Sequence, residues 1–396
     1  MVRKILTFAL CMLFTVAVLC ACAPAEQDTA QSAAPEETQE AETTAPAQEE
    51  TAEPEETAEQ SAPADEVENT HSVTDMAGRA VEVPDTISTV FATSPVGSIY
   101  VYTLAPEKLL GWNYEFNDWE LKYIQEQYRD LPVYGMNDSL NLEALIAAKP
   151  DIILQVGSLG EKAQEQADEL SSQTGIPVLM YSLDLTSTPL VYTQLGELLG
   201  EVDRAQELVA YSTRVIEDAQ TRTNDIPEDQ RVTVYYGNGP QSLNTAPQGS
   251  DAAEVFELAG GVNCAAIELT EDTETERVDI SPETLIAWNP DIIFVNGEPK
   301  DDLSAQSAAD AILADPTYQS LQAVADGRVY GIPQTPFSWL DRPKGPNRII
   351  GVLWTGALMY PDLYTDIDLT QEIQDFYNMF YHVDLTPEQV PQLASE

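Results

Sequence analysis

The stretch Asn141-Leu142-Glu143-Ala144-Leu145-Ile146-Ala147-Ala148-Lys149-Pro150-Asp151-Ile152-Ile153-Leu154 occurs twice. It returns 140 residues later as Ser281-Pro282-Glu283-Thr284-Leu285-Ile286-Ala287-Trp288-Asn289-Pro290-Asp291-Ile292-Ile293-Phe294, with eight of fourteen positions identical. Asn141 and Ser281 are residue types that cap helices, and Pro282 suits the first helical position. Lys149-Pro150 and Asn289-Pro290 stop the helix, because the proline ring disfavours helical geometry at the residue before it. The apolar β-branched run that follows is the mark of a buried parallel strand. Each copy therefore reads as a helix feeding a strand, with one glutamate near the helix start. Two copies imply two similar α/β lobes, whose working site is the cleft between them.

Around this repeat, alternating signals predict a mainly parallel sheet in each lobe. Thr74–Arg79 is a turn, with Val81 and Val83 alternating after it. Strands are expected at 89–92, 109–112, 152–156, 177–181, 231–236 and 328–331. Helices are expected from about 99, over 161–174, 189–199, 252–258, 305–313 and 347–359, with two acidic, aromatic-bearing helices at the end. A further helix, from Arg204 to about Thr223, carries apolar residues at helical spacing. At 1.5 Å per residue, about 20 residues span roughly 30 Å, enough to cross a domain. It sits where one lobe ends and the other begins, so it reads as a strut that limits hinge bending. The expected segments are a lobe over 71–200, a connecting helix over 201–226 and a second lobe over 227–396.

The remainder of the 396 residues is leader. Arg3 and Lys4 precede an apolar run from Ile5 to Val18, which reads as a secretory signal over 1–22 and is short for a membrane span. Residues 23–70 hold 15 acidic residues and no Lys or Arg. They cannot bury enough apolar surface to fold and read as an extended acidic tether.

The net charge of −49 argues against nucleic acid and against adhesion to anionic lipid. Of the four cysteines, Cys264 alone lies beyond residue 22, so no internal disulfide or cysteine metal cluster is expected. His71 and His382 lie at opposite ends of the mature chain, which leaves a Ser-His-Asp catalyst or a histidine metal site poorly supported. An exported enzyme and a surface sensor or adhesin are the alternatives from other classes.

The chain resembles the substrate-binding lipoproteins of ABC importers for iron complexes, a group that includes vitamin B12- and haem-binding proteins. The resemblance runs from about Val73 to Val390. It is carried by Thr74-Asp75-Met76-Ala77-Gly78-Arg79, Leu104-Ala105-Pro106-Glu107-Lys108-Leu109-Leu110-Gly111, Asn141-Leu142-Glu143, Ala259-Gly260-Gly261-Val262-Asn263, the repeat around Glu283, and Pro346-Asn347-Arg348. It implies two Rossmann-like lobes joined by a single long α-helix, the class III periplasmic-binding-protein type. The expected function is non-catalytic: capture of an iron chelate of siderophore type, with cobamide, haem or an oxyanion such as molybdate as alternatives. No cofactor and no metal ligand of the protein's own are expected. The implied partners are a permease dimer with its ATPase, and the protein itself is expected to be a monomer. Glu143 and Glu283 correspond to the glutamates that dock on permease arginines; the plainer role is that each favours the positive start of its helix, worth about 0.3–1 kcal/mol. The Leu19-Cys20-Ala21-Cys22 ending resembles a lipobox, which makes Cys22 the acylated anchor on the outer face of the cell membrane.

The cleft-facing strand ends should carry the cargo site. The candidates are Ser94, Val96, Gly97, Trp112, Asn113 and Gly157 in the first lobe, and Tyr235, Tyr236, Asn238, Trp339 and Arg342 in the second. Aromatic walls suit a large planar or catecholate chelate, and Arg342 suits an anionic one. Alternation allows only one of Tyr235 and Tyr236 to face the cleft. Arg348, one turn into a helix, reads as structural. The lack of a cleft histidine or arginine cluster argues against haem or a strongly anionic siderophore, and the overall acidity tilts toward a neutral or cationic chelate.

Overall fold

The computed structural model describes residues 69–268, 277–298 and 303–395. The signal, Cys22 and nearly all of the tether lie outside the described residues. Strand pairing begins at Thr70, where β1 (Thr70–Thr74) meets β2 (Ala80–Pro84) antiparallel around the Asp75–Gly78 turn. Asp75 ties that turn to the first lobe: its carboxylate accepts from Arg79 Nε at 3.0 Å and from the Met180 amide at 3.1 Å.

The first lobe is a parallel sheet of β3 (Val90–Ala92), β4 (Ile152–Gly157) and β5 (Val178–Ser182), in the order β3-β4-β5. The second lobe contains β6 (Thr233–Asn238), β7 (Asn244–Thr245), β8 (Val262–Asn263), β9 (Val278–Asp279), β10 (Ile292–Val295) and β11 (Val329–Gly331). Its order is β11-β10-β6-β7-β9, with β8 also on β6. The parallel trio β6, β10, β11 repeats the order of β3, β4, β5.

The repeat superimposes function by function. Asn141 accepts from the Ala144 amide at 3.0 Å, and Ser281 from the Thr284 amide at 3.2 Å, so each caps its helix as its residue type foretells. Both helices end on a left-handed residue, Lys149 at φ 50° and Asn289 at φ 45°. The two aspartates then lock the neighbouring strand. Asp151 accepts from the Thr89 amide at 2.8 Å, and Asp291 from the Thr233 amide at 2.8 Å.

Alternation splits the cores. Phe91, Ile153, Val178 and Met180 pack outward under the first lobe's helices. Tyr235, Ile293, Val295 and Val329 do the same in the second. The opposite sheet faces, with Ala92, Leu154, Tyr236 and Phe294, belong to one continuous core shared by the lobes. The 22-residue helix Val202–Thr223 runs through it, burying Leu208, Ser212, Val215 and Ala219.

Two further ties join the lobes. Arg348 donates to Glu254 at 2.8 Å and to the Leu183 carbonyl, while Glu254 accepts from the Leu185 amide at 2.9 Å. The C-terminal segment also crosses back. Tyr102 donates to the Tyr381 carbonyl at 3.1 Å, and Tyr123 meets Tyr377 edge-on at 5.7 Å. The last helices thus complete the first lobe's core as well as the second's.

Candidate functional site

The helix Pro95–Leu104 starts four residues before the expected point, because Ser94 takes the N-cap and Pro95 the first position. Ser94 Oγ is buried without a hydrogen-bond partner among the described residues, and it caps no amide of the helix. Pro95 carries no N–H and the Ser98 amide donates to the Ser94 carbonyl at 3.2 Å, so the Val96 and Gly97 amides stand at the positive end of the helix dipole. Gly97 is buried because a Cβ there would meet Ala92 Cβ at 2.7 Å; it lets the helix start close to the strand end. Val96 is half-buried and packs on the core. Gly157, at the end of β4, has open space where a side chain would be.

The second lobe carries a polar network around the ends of β6 and β10. Tyr236 donates to Asp341, and Arg277 pairs with the other oxygen of that carboxylate. Asn296 donates to Asn238 Oδ1 at 2.6 Å and to the Tyr236 hydroxyl, and Gln334 donates to Asn296 Oδ1 at 3.1 Å. Glu298 accepts from the Gly239 amide at 2.8 Å and from Arg342 at 3.1 Å. Burial, together with the Asp341 charge, pushes the Tyr236 hydroxyl far above its ordinary value, so it stays a neutral donor. Asn238 Nδ2, Arg277 Nε and Thr335 Oγ1 are buried without partners among the described residues.

The loop 335–347 brings this network to the first lobe. Its Phe337 lies 5.9 Å from Phe116, ring to ring. A Cβ on its Gly345 would come within 3.2 Å of Ile99, in the second turn of the helix that begins at Ser94.

The expected aromatic wall is not exposed. Trp112 is 3% exposed, with Nε1 held by the Tyr128 carbonyl at 2.7 Å. Trp339 is 1% exposed and sits edge-on to Trp354. Tyr235 turns into the outer core and donates to the Ser242 carbonyl at 2.7 Å. Tyr236 is the inward one of the pair, and only its hydroxyl serves the network. Asn113 is buried as a strut, donating to the Ala92 carbonyl at 2.8 Å and accepting from Ser98 at 2.7 Å. These indoles and rings were bulky enough that the core took them first. Arg277 and Arg342 are both held in this network, by Asp341 and Glu298. Arg277 was missed because no local pattern marks it. Its signal was scarcity: the chain has 18 Lys and Arg against 67 acidic residues, so each cation is selective.

Glu143 and Glu283 are exposed in the first turns of the repeated helices. Helix amides and Ser281 lower the Glu283 carboxyl below its usual range. Cys264 is half-buried, and burial pushes its thiol up to about 12, which leaves it inert. Among the described residues no group of three or more His, Cys, Asp or Glu is placed to hold a metal, and no helix is long and apolar enough to cross a membrane.

A family model for periplasmic binding proteins matches residues 113–336, more than half of the chain. The chain belongs to that family. The molybdate-binding protein MolA of Haemophilus influenzae is 26% identical over 347 residues, covering 80% of this chain and 92% of that protein. The haem-uptake protein IsdE of Staphylococcus aureus is 23% identical over 219 residues, covering 54% and 71%. Among solved structures, an ABC transporter solute-binding protein from Sulfurospirillum deleyianum matches with a TM-score of 0.72 and 26% identity, over 82% of this chain and 99% of that one. Molybdate-bound MolA matches with a TM-score of 0.61 and 22% identity, over 80% and 99%, a likeness of fold. This periplasmic binding protein is therefore the extracytoplasmic substrate-binding component of an ABC importer, a binding module and not an enzyme.

Proposed function

We propose that the cargo is a small oxyanion of the molybdate class, taken up between the Ser94 helix start and the second lobe's polar network. The observation that carries this reading is that Ser94 Oγ, Asn238 Nδ2 and Arg277 Nε are buried without partners among the described residues, with Arg342 in the same second-lobe network as Asn238. A buried donor left unpaired costs about 1–3 kcal/mol, so such a set points to an absent acceptor. A helix start and guanidinium groups are suited to a tetrahedral anion. The match to MolA across most of both chains supports the same reading. An iron chelate finds less support, because the rings expected to stack on it are packed into the core.

Isothermal titration of the purified protein with sodium molybdate, tungstate, sulfate, haem, cobalamin and a ferric catecholate tests this. Molybdate or tungstate is expected to bind with a micromolar or lower Kd. Absence of oxyanion binding at about 1 mM, which is weaker than roughly −4 kcal/mol, with tight binding of a chelate, overturns it.

We also propose that Glu143 and Glu283 dock on the permease and that Cys22 carries the lipid anchor. Replacing both glutamates by Ala is expected to abolish uptake with cargo affinity intact; unchanged uptake removes the docking role. Mass spectrometry of the N-terminal peptide from host membranes checks acylation at Cys22.

A further inference from the structure

We propose that Glu298 is a built-in substitute for the cargo, a carboxylate that occupies anion donors of the cleft and is expelled when cargo enters. This rests on the oxyanion reading above. One oxygen of Glu298 accepts both the Gly239 amide, at 2.8 Å, and Arg342, at 3.1 Å. A backbone N–H and a guanidinium are the pair an oxyanion would itself use. Gly239 follows β6 with φ +77°, a left-handed turn that glycine adopts freely.

The two carboxylates of the network are not alike. The Asp341 side chain is 1% exposed and is fixed from both sides by Arg277 and Tyr236. The Glu298 side chain is 18% exposed, and its partner Arg342 is 36% exposed, so this pair has a path to water. The backbone of Glu298 is pinned by hydrogen bonds to Leu303 at 2.7 and 3.2 Å. Its exchange therefore needs only side-chain rotation.

Charge supplies the reason. Arg277 and Arg342 are balanced by Asp341 and Glu298. Asp341 answers the more buried guanidinium, and Glu298 supplies the counter-charge for the partly exposed Arg342. A dianion added to a balanced cluster meets repulsion, which falls once Glu298 rotates into solvent. Displacement lowers the apparent affinity for every anion and favours one that can satisfy both freed donors at once.

The test is titration of the full-length protein with sodium molybdate, in the wild type, Glu298→Gln and Glu298→Ala, each with and without Arg342→Gln. Both Glu298 variants are expected to bind molybdate about tenfold more tightly than the wild type, and the gain should vanish when Arg342 is also replaced. A merely structural Glu298 would not produce that Arg342-dependent gain. Unchanged or weaker binding in Glu298→Gln and Glu298→Ala, with the wild type binding molybdate, overturns the substitution and leaves the oxyanion reading standing. Silence of all variants at 1 mM removes both. Melting curves for the two Glu298 variants establish that they are folded, and the alanine variant serves if the glutamine one is not.

Discussion

The two lobes are nearly identical at one end of their strands and unlike at the other. At the outward end, Asn141 and Ser281 cap equivalent helices, Glu143 and Glu283 occupy equivalent first turns, and Asp151 and Asp291 bind equivalent threonines. At the inward end the first lobe offers small groups, Ser94, Gly97 and Gly157, while the second offers Tyr236, Asn238, Asn296, Arg277 and Arg342. One end repeats the same local structure twice, and the other is built from unlike residues in the two lobes. On the oxyanion reading proposed above, the small residues of one lobe would fit the cargo closely and the charged network of the other would discriminate.

The largest expected effect breaks the unequal end. Asp341→Ala leaves Arg277 without its buried carboxylate, and a loss of about 3–5 kcal/mol in urea denaturation is expected. Ser94→Ala removes a buried hydroxyl that has no partner among the described residues, so it should leave stability unchanged or raise it by up to about 1–3 kcal/mol while weakening cargo binding. A comparable stability loss in both would erase the distinction.

The equal end gives intermediate effects. Asp151→Ala and Asp291→Ala each remove charged hydrogen bonds to a strand start, worth about 1.5–3 kcal/mol. The two losses should agree within about 1 kcal/mol; a larger gap means that the repeat has diverged energetically. Asn141→Ala and Ser281→Ala each remove a cap and should cost about 1 kcal/mol, read from thermal melts.

The smallest effect concerns pH. Glu120 accepts from the Asn117 amide at 2.8 Å, but burial dominates and lifts its carboxyl from 4.5 to about 7. A carboxyl raised by folding stabilises the native state below its ordinary value, and that contribution is lost as pH rises through about 7. Glu120→Gln should therefore flatten the stability profile between about pH 5 and 8 in the first lobe. An unchanged profile assigns the dependence elsewhere.

The outward end was legible in sequence because everything there is local. A cap, a proline stop and a β-branched run lie within fourteen contiguous residues. The inward end was legible only in part. Ser94, Gly97, Asn238 and Arg342 are expected at the cleft from their place after strands or in a loop, and that expectation enters the proposal above. Arg277, Asn296, Glu298 and Gln334 come from separate segments and meet only through topology. The aromatic residues misled because a ring near a strand end looks the same in sequence whether it lines a cleft or fills a core. Strands β7, β8 and β9 have two residues each, too few to show a period.

The returning C-terminal segment has a consequence for how the molecule is made. Tyr381 receives the Tyr102 hydroxyl across 279 residues of chain. The first lobe to emerge during synthesis is thus the last to be finished, because part of its interior is supplied by the final helices. Contacts of such long sequence separation form late and slow folding. A chain cut short before Leu369 is expected to expose the apolar flank of the helix Pro95–Leu104 and to be recognised by proteases as incomplete, whichever lobe is probed.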